Sequence, residues 1–279
     1  MKYDSLLLSG GGLKCYSFLG VIHYLFDNNI IDNDFKNIKN IVTVSGGSIY
    51  IFPLLIGYSL DITIEIFKQF SINDHIDFND ISIHKLLNTY GLYEGGKLVE
   101  KFIKCLLKYK NLKEDLTLKE LYELNNINYV IKTINITKEK ICYLNHINHP
   151  DIPIYKVLCM SSCIPIMFPP FKYKNNLYLD GGLCGHYPHD YKLKSKKKLG
   201  IRITSNDYYL NENKKNNQPD NIIDYLKIIY QLTDNQPRKK NIIDININGV
   251  GIDISKDNTE IYKYINIGYN SAKKYFENN

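Results

Sequence analysis

From Ile41 to Leu60 the chain runs twenty residues without a charge. That is about the length that crosses a bilayer. Two internal features argue against a span: Ser45-Gly46-Gly47-Ser48 breaks the run with a turn, and Pro53 removes a helical donor. A buried strand at Ile41–Val44, a tight turn and a buried helix to about Ser59 fit the pattern better. The N-terminus repeats the arrangement. An apolar run, Ser5–Ser9, leads into Gly10-Gly11-Gly12, and Leu13–Asn28 then carries Leu19, Ile22, Leu25 and Phe26 at helical spacing. Two units of strand, glycine turn and buried helix predict an α/β fold with a mostly parallel central sheet flanked by helices.

The rest of the chain extends this pattern. Asp61 is a candidate cap for a helix running through Phe70. Lys97–Tyr109 and Leu118–Leu124 have helical periodicity, and the turn cluster Gly91–Gly96 precedes them. Tyr129–Asn135 and Lys140–Asn145 are predicted strands joined by a polar turn. Tyr155–Ser162 reads as a buried helix ended by Pro165, Asn176–Leu179 as a strand, and Leu199–Thr204 as another. A Lys/Asn-rich loop at about 205–220, a helix to about Thr233, a strand near Asn241–Ile254 and a terminal helix from about Asn258 complete the reading. No internal repeat is visible, and 279 residues fit a single domain, 1–279.

Composition matters here mainly for what it devalues. The chain holds 41 Ile and 32 Asn but one Ala and two Arg, so Lys supplies 33 of 35 basic residues. This is the bias of an AT-rich coding sequence, and it weakens any argument from lysine abundance. The net charge of +6 therefore reads first as a basic solvated surface, with anionic membranes a secondary partner. No aromatic RNA-binding motif, zinc-finger spacing or long basic helix occurs, so no nucleic-acid partner is expected. The dense cluster is Lys192, Lys194, Lys196, Lys197 and Lys198. The six cysteines form no CxxC pair, so a zinc site is not expected and free thiols in a reducing compartment are. MKYDSLLLSGGG lacks the apolar length of a signal peptide, which makes the expected location cytoplasmic.

Three features follow predicted strands, where loops of α/β sheets build sites. Ser45 stands at a strand-to-helix turn before Gly46 and Gly47, as a nucleophile on an elbow would, or as a simple helix cap. Gly10-Gly11-Gly12-Leu13-Lys14 aims several N–H groups at one point. It lacks the Gly-Lys-Ser/Thr of a phosphate loop and the spacing of a dinucleotide fingerprint, leaving an oxyanion hole or a plain turn. Asp180-Gly181-Gly182 places a carboxylate at a strand end, either as a base or as a common turn.

Taken together, the three resemble the patatin-like phospholipase family, whose site combines a Gly-rich loop with a basic residue, a G-x-S-x-G serine and a D-G-G/A aspartate. Gly91-Leu92-Tyr93 with Gly95-Gly96-Lys97, Ser161-Ser162-Cys163-Ile164-Pro165 with Phe168-Pro169-Pro170, and Tyr187-Pro188 after the aspartate extend the likeness. Gly251-Ile252-Asp253 extends it to the C-terminal end. The resemblance implies a patatin-like three-layer α/β/α fold. It implies Ser45 as nucleophile, Asp180 as general base, the N–H groups of Gly10, Gly11, Gly12 and Gly46 as oxyanion hole, and Lys14 as a substrate-binding cation. It implies no metal and no cofactor.

The activity so implied is that of a serine lipid acyl hydrolase, a phospholipase A type carboxylic ester hydrolase. It would cleave fatty acyl esters of (lyso)phospholipids through an acyl-serine intermediate, with peripheral membrane contact at a lipid substrate. Ile51, Phe52, Met167 and Phe168 are candidates for an apolar entrance, or ordinary core. Three positions depart from the family pattern: Thr43 for Gly, Cys15 for Gly, and His186 for Asn. They motivate an alternative, a catalytically impaired lipid- or membrane-binding relative. None of the seven histidines stands in an obvious motif.

Overall fold

Short apolar segments form the central strands of one mixed sheet because they are covered on both faces. The computed structural model describes residues 3–70, 83–93, 95–204, 241–247 and 258–279. Its strands are β1 (Ser5–Leu8), β2 (Asn40–Val44), β3 (Asn128–Asn135), β4 (Lys140–Leu144), β5 (Phe171–Tyr173), β6 (Asn176–Asp180), β7 (Lys198–Thr204) and β8 (Ile242–Asn246). Its helices are α1 (Tyr16–Asp27), α2 (Gly46–Leu55), α3 (Leu60–Gln69), α4 (Ile83–Thr89), α5 (Gly95–Tyr109), α6 (Leu118–Asn125), α7 (Ile154–Ser161) and α8 (Asn258–Glu277). The hydrogen-bonded path runs β5-β6-β3-β2-β1-β7-β8, with β4 also on β3. The β3-β2-β1-β7-β8 portion is parallel, and β4, β5 and β6 are antiparallel additions. This is the expected α/β class.

Strand alternation sorts the core. Leu6, Leu8, Ile41, Tyr129, Ile131, Leu199 and Ile201 join the large cluster that α1, α2 and α8 complete. On the opposite face Leu7, Val42 and Val130 meet Tyr187, with Tyr143, Tyr191 and Leu193 beside them.

Strand register explains how the site forms. Ile131 and Lys132 of β3 pair with Thr43 and Val44 of β2, and also with Leu144 and Tyr143 of β4. Thr133, Ile134 and Asn135 pair with β4 again and with Asp180, Leu179 and Tyr178 of β6. A strand has two edges. With β4 occupying one edge throughout, β2 and β6 must share the other, abutting where Lys132 gives way to Thr133. β2 runs parallel to β3 and β6 antiparallel, so their C-terminal ends meet. Ser45 follows one end, and Asp180 is the last residue of the other.

Helix α8 closes the fold against α1 through two glycines. A Cβ on Gly268 would lie 1.8 Å from the Ser17 carbonyl, and one on Gly20 would lie 1.9 Å from the Ile265 carbonyl. Backbone cannot yield cheaply at that distance, so the helices pack at a spacing only glycine allows. Gly268→Val is expected to cost about 3 kcal/mol, read as a lowered urea midpoint; a midpoint equal to wild type would refute the close-packing account.

Several boundaries differ from expectation for identifiable reasons. The helix after the turn ends at Leu55, and Ser59, not Asp61, caps α3: its hydroxyl accepts from the Ile62 N–H at 3.3 Å. Asp61 instead stands in the first turn, where a negative charge suits the helix dipole. Strand β5 carries no periodic signal in its three residues and forms by pairing with β6. The final strand is described as Ile242–Asn246. The Lys/Asn-rich loop and the helix to about Thr233 lie outside the described residues, as does Gly251-Ile252-Asp253. Among the described residues no helix is long and apolar enough to cross a membrane.

Candidate active site

The turn between β2 and α2 is built on one strained residue. Ser45 adopts φ 51° and ψ −129°, a region an L-residue enters only at a cost of about 1–3 kcal/mol. The Ser45 N–H donates to Ser161 Oγ at 2.9 Å, and the Ser45 carbonyl accepts the Ser48 N–H at 2.8 Å, starting the helix. The side chain is thereby held off the strand end. Thr43, two residues earlier, tolerates its β-branch because it is an ordinary buried strand residue; its hydroxyl donates to Ser48 Oγ at 2.9 Å. The positive φ falls on Ser45, so the glycine usual at position 43 is not needed for the turn itself.

Ser45 Oγ donates to Asp180 Oδ2 at 2.5 Å. The other carboxylate oxygen, Oδ1, accepts the Gly182 N–H at 2.6 Å. The Asp180 N–H donates to the Cys163 carbonyl at 2.9 Å, which fixes the strand end against the segment after α7. Asp180 is 1% exposed, and burial pushes its carboxyl up to about 6, against the lowering pull of the Ser45 and Gly182 hydrogen bonds and the Lys132 charge. Among the described residues, no histidine hydrogen-bonds either member of this pair. His186 is turned away, with Nε2 2.9 Å from the Ile203 carbonyl.

The glycine loop lies against the turn. A Cβ on Gly46 would approach the Gly12 carbonyl to 2.9 Å, so the two backbones touch. The N–H groups of Gly11, Gly12 and Gly46 have no acceptor among the described residues, as expected for donors at the starts of a 3-10 turn and of α2. Gly10 differs from expectation: its N–H donates to the His186 carbonyl at 2.7 Å and is withdrawn from any oxyanion hole. Its role is spatial, since a Cβ there would lie 3.2 Å from that of Ser45. Lys14 also departs from the expected substrate contact. It is buried, and its ammonium donates to the Ile247 carbonyl at 2.8 Å, tying the loop to the end of β8.

Residues 6–191 match the family model described as patatin-like phospholipase. The chain belongs to the patatin-like phospholipase family. That match contains both Ser45 and Asp180 and stops short of β7, β8 and α8. Among curated relatives, "Probable lipid hydrolase 463L" of Invertebrate iridescent virus 6 is 31% identical over 200 residues, 70% of this chain and 65% of that protein. "Uncharacterized protein R571" of Acanthamoeba polyphaga mimivirus is 30% identical over 187 residues, 67% of this chain and 60% of its own. The matched region thus spans less than two thirds of either relative. Among solved structures, VipD from Legionella pneumophila has the same fold at TM-score 0.71 and 16% identity, covering 98% of this chain and 66% of that one. The type III effector protein ExoU gives TM-score 0.53 at 12% identity, covering 100% of this chain and 53% of that one.

Within this patatin-like framework the structure brings Ser45, Asp180, Gly11, Gly12 and Gly46 together. Cys15 is wholly buried, and the space a Gly46 Cβ would fill lies 3.1 Å from its Sγ. Burial and the neighbouring Asp180 push that thiol well up, so it is neutral packing beside the loop. Ile51 and Phe52 are fully buried in the core and cannot line an entrance. Met167 is buried with Tyr93 in a small separate cluster that Phe168 flanks. Sequence reasoning missed two residues behind the pair, Ser161 and Lys132. Ser161 stood at the head of the family-like segment Ser161–Pro165, but nothing in a Ser-Ser step assigned it a role. Lys132 did give a signal: it is a lone charge in the otherwise uncharged strand Asn128–Asn135. Among the described residues no group of three or more His, Cys, Asp or Glu could hold a metal ion.

Proposed function

We propose that this chain is a serine lipid acyl hydrolase that cleaves fatty acyl esters of phospholipids or lysophospholipids. The observation that carries the reading is the 2.5 Å hydrogen bond from Ser45 Oγ to Asp180 Oδ2. A serine hydroxyl becomes a useful nucleophile when a base takes its proton in the transition state. Asp180 accepts that proton as the Oγ–acyl carbon bond forms. The N–H groups of Gly11, Gly12 and Gly46 receive the developing oxyanion, each worth about 3 kcal/mol of barrier in comparable sites. The ester C–O bond then breaks, Asp180 returns the proton to the leaving alcohol, and the acyl group stays on Ser45. Water repeats the sequence. It gives a proton to Asp180 as it attacks the acyl carbon, and the bond to Oγ breaks. Fatty acid leaves, and Ser45 recovers its proton.

Support for a lipid substrate comes from family membership and from the iridescent virus relative, whose name is that of a probable lipid hydrolase. The test is release of free fatty acid from phosphatidylcholine and lysophosphatidylcholine by the purified protein. Release is expected from at least one, and none from either would overturn the reading.

The raised carboxyl also sets the pH dependence. A base must be ionised, so kcat/KM is expected to rise through about pH 6 and level off above it. A profile flat down to pH of about 4 would mean an unperturbed aspartate and a different base.

A further inference from the structure

The proposed reaction uses Ser45 and Asp180, and the structure places one more residue directly behind both; the inference rests on that reading. Lys132 sits at the abutment of β2 and β6 on β3, paired with Val44 and followed by Thr133, the partner of Asp180. It is a fully buried lysine. Its ammonium donates to the Cys184 carbonyl at 2.8 Å and the Gly185 carbonyl at 3.0 Å, and lies 3.4 Å from Asp190 Oδ1. Tyr143, opposite Lys132 on β4, donates to the same Asp190 oxygen at 2.5 Å. The main chain of Lys132 is engaged as well. Its carbonyl accepts from Ser161 Oγ at 2.7 Å, and that hydroxyl oxygen accepts the N–H of Ser45 at 2.9 Å. A Cβ on Gly181 would fall 2.5 Å from the same carbonyl, so the turn after Asp180 rests on it.

We propose that Lys132 is a positioning residue for the Ser45–Asp180 pair. Its ammonium holds the carbonyls of the turn that follows the base, its carbonyl holds the strained serine peptide through Ser161, and its charge favours the ionised form of Asp180. A lysine does what an apolar residue cannot here, because its fully buried head supplies the donor that the Cys184 and Gly185 carbonyls accept.

The ionisable groups facing Asp180 are Lys132 from β3, Cys15 from the glycine-loop turn and Cys163 from the segment after α7. Lys14 lies one step further, acting on Cys15. Burial pushes the Cys163 thiol up to about 12 and the Cys15 thiol well up too, so both are neutral. Lys132 itself faces Asp190, Cys184, Tyr143 and Asp180. Burial presses its ammonium down and Asp190 opposes this most.

The test is the rate at which a fluorophosphonate labels Ser45, measured from about pH 4 to about pH 9, with circular dichroism melts as the folding control. Wild type is expected to label with a midpoint near the Asp180 value of about 6. Lys132→Met and Lys132→Gln both remove the charge, so the midpoint moves up by about one pH unit. Lys132→Met also loses the donors, and its plateau rate falls about tenfold; Lys132→Gln keeps a donor and loses less. Asp190→Asn, at a half-exposed carboxylate, keeps the protein folded and leaves the ammonium without its counter-charge, so the midpoint moves down. A residue that only supports the fold would lower rates with the midpoint unmoved. An unmoved midpoint in the Lys132 variants overturns the proposal, and so does an unmoved or raised midpoint in Asp190→Asn. If wild-type Ser45 takes no label at any pH, the nucleophile assignment has failed instead.

Discussion

Ser45→Ala is expected to abolish fatty acid release, by at least about four orders of magnitude where the wild-type rate permits the measurement, and to leave a folded protein. The effect is large because no described hydroxyl other than that of Ser45 hydrogen-bonds Asp180. A water attacking directly would have to be placed and deprotonated without the covalent step. The fold survives because alanine keeps the backbone hydrogen bonds of residue 45 to Ser161 and Ser48. Alanine does not relieve the backbone strain. Ser45→Gly does, and is expected to be equally inactive yet about 1 kcal/mol more stable than Ser45→Ala, since glycine enters positive φ freely. Activity of Ser45→Ala within tenfold of wild type would end the assignment of this residue as nucleophile.

Asp180→Asn is expected to lower activity by about three to four orders of magnitude and, at pH of about 8, to raise stability. An amide cannot take the Ser45 proton, which accounts for the first effect. The second follows from burial. The native carboxyl titrates near 6 rather than 3.8, because the desolvated charge costs more than its hydrogen bonds and Lys132 return. The folded state therefore binds the proton more tightly than the unfolded chain does. The group's favourable contribution is fully present below the unfolded value and is lost as pH rises from about 4 through about 6. Above that range the folded protein carries a penalty on the order of 3 kcal/mol. Asparagine carries no charge to desolvate and can still accept the Gly182 N–H. The melting temperature of Asp180→Asn should exceed that of wild type at pH of about 8 and the gap should close by pH of about 4. A variant less stable than wild type at every pH would show that the carboxylate is structural.

The Ser45–Asp180 pair was legible because its residue types resist the compositional drift of the chain. In a sequence with a single alanine, the glycines at 10–12, 46–47 and 181–182 stand where backbones approach too closely for a side chain or where the chain must turn. The strand-turn-helix pattern likewise needs only hydrophobic periodicity and glycine. What was not legible concerned partners. Gly10 looked like an oxyanion donor because it shares a run with Gly11 and Gly12, but hydrogen bonding to His186 removed it. Lys14 looked like a substrate cation because of its place after the loop, but the end of β8, 233 residues away, took its ammonium. Ile51 and Phe52 read as either a lipid entrance or ordinary core, and α2 turns both into the core.

The sequence by itself determined most of the elements and the α/β class, since periodicity, glycine turns and strand-end placement are local properties of the chain, and the family resemblance of its motifs singled out Ser45 and Asp180. Only the tertiary structure decided that the two meet, because 135 residues separate them and the meeting depends on β2 and β6 sharing one edge of β3. It also decided the protonation of Asp180 and the place of Lys132 behind it. Desolvation and hydrogen bonding depend on everything packed around a group, and no stretch of sequence near residue 132 or 180 records what that will be.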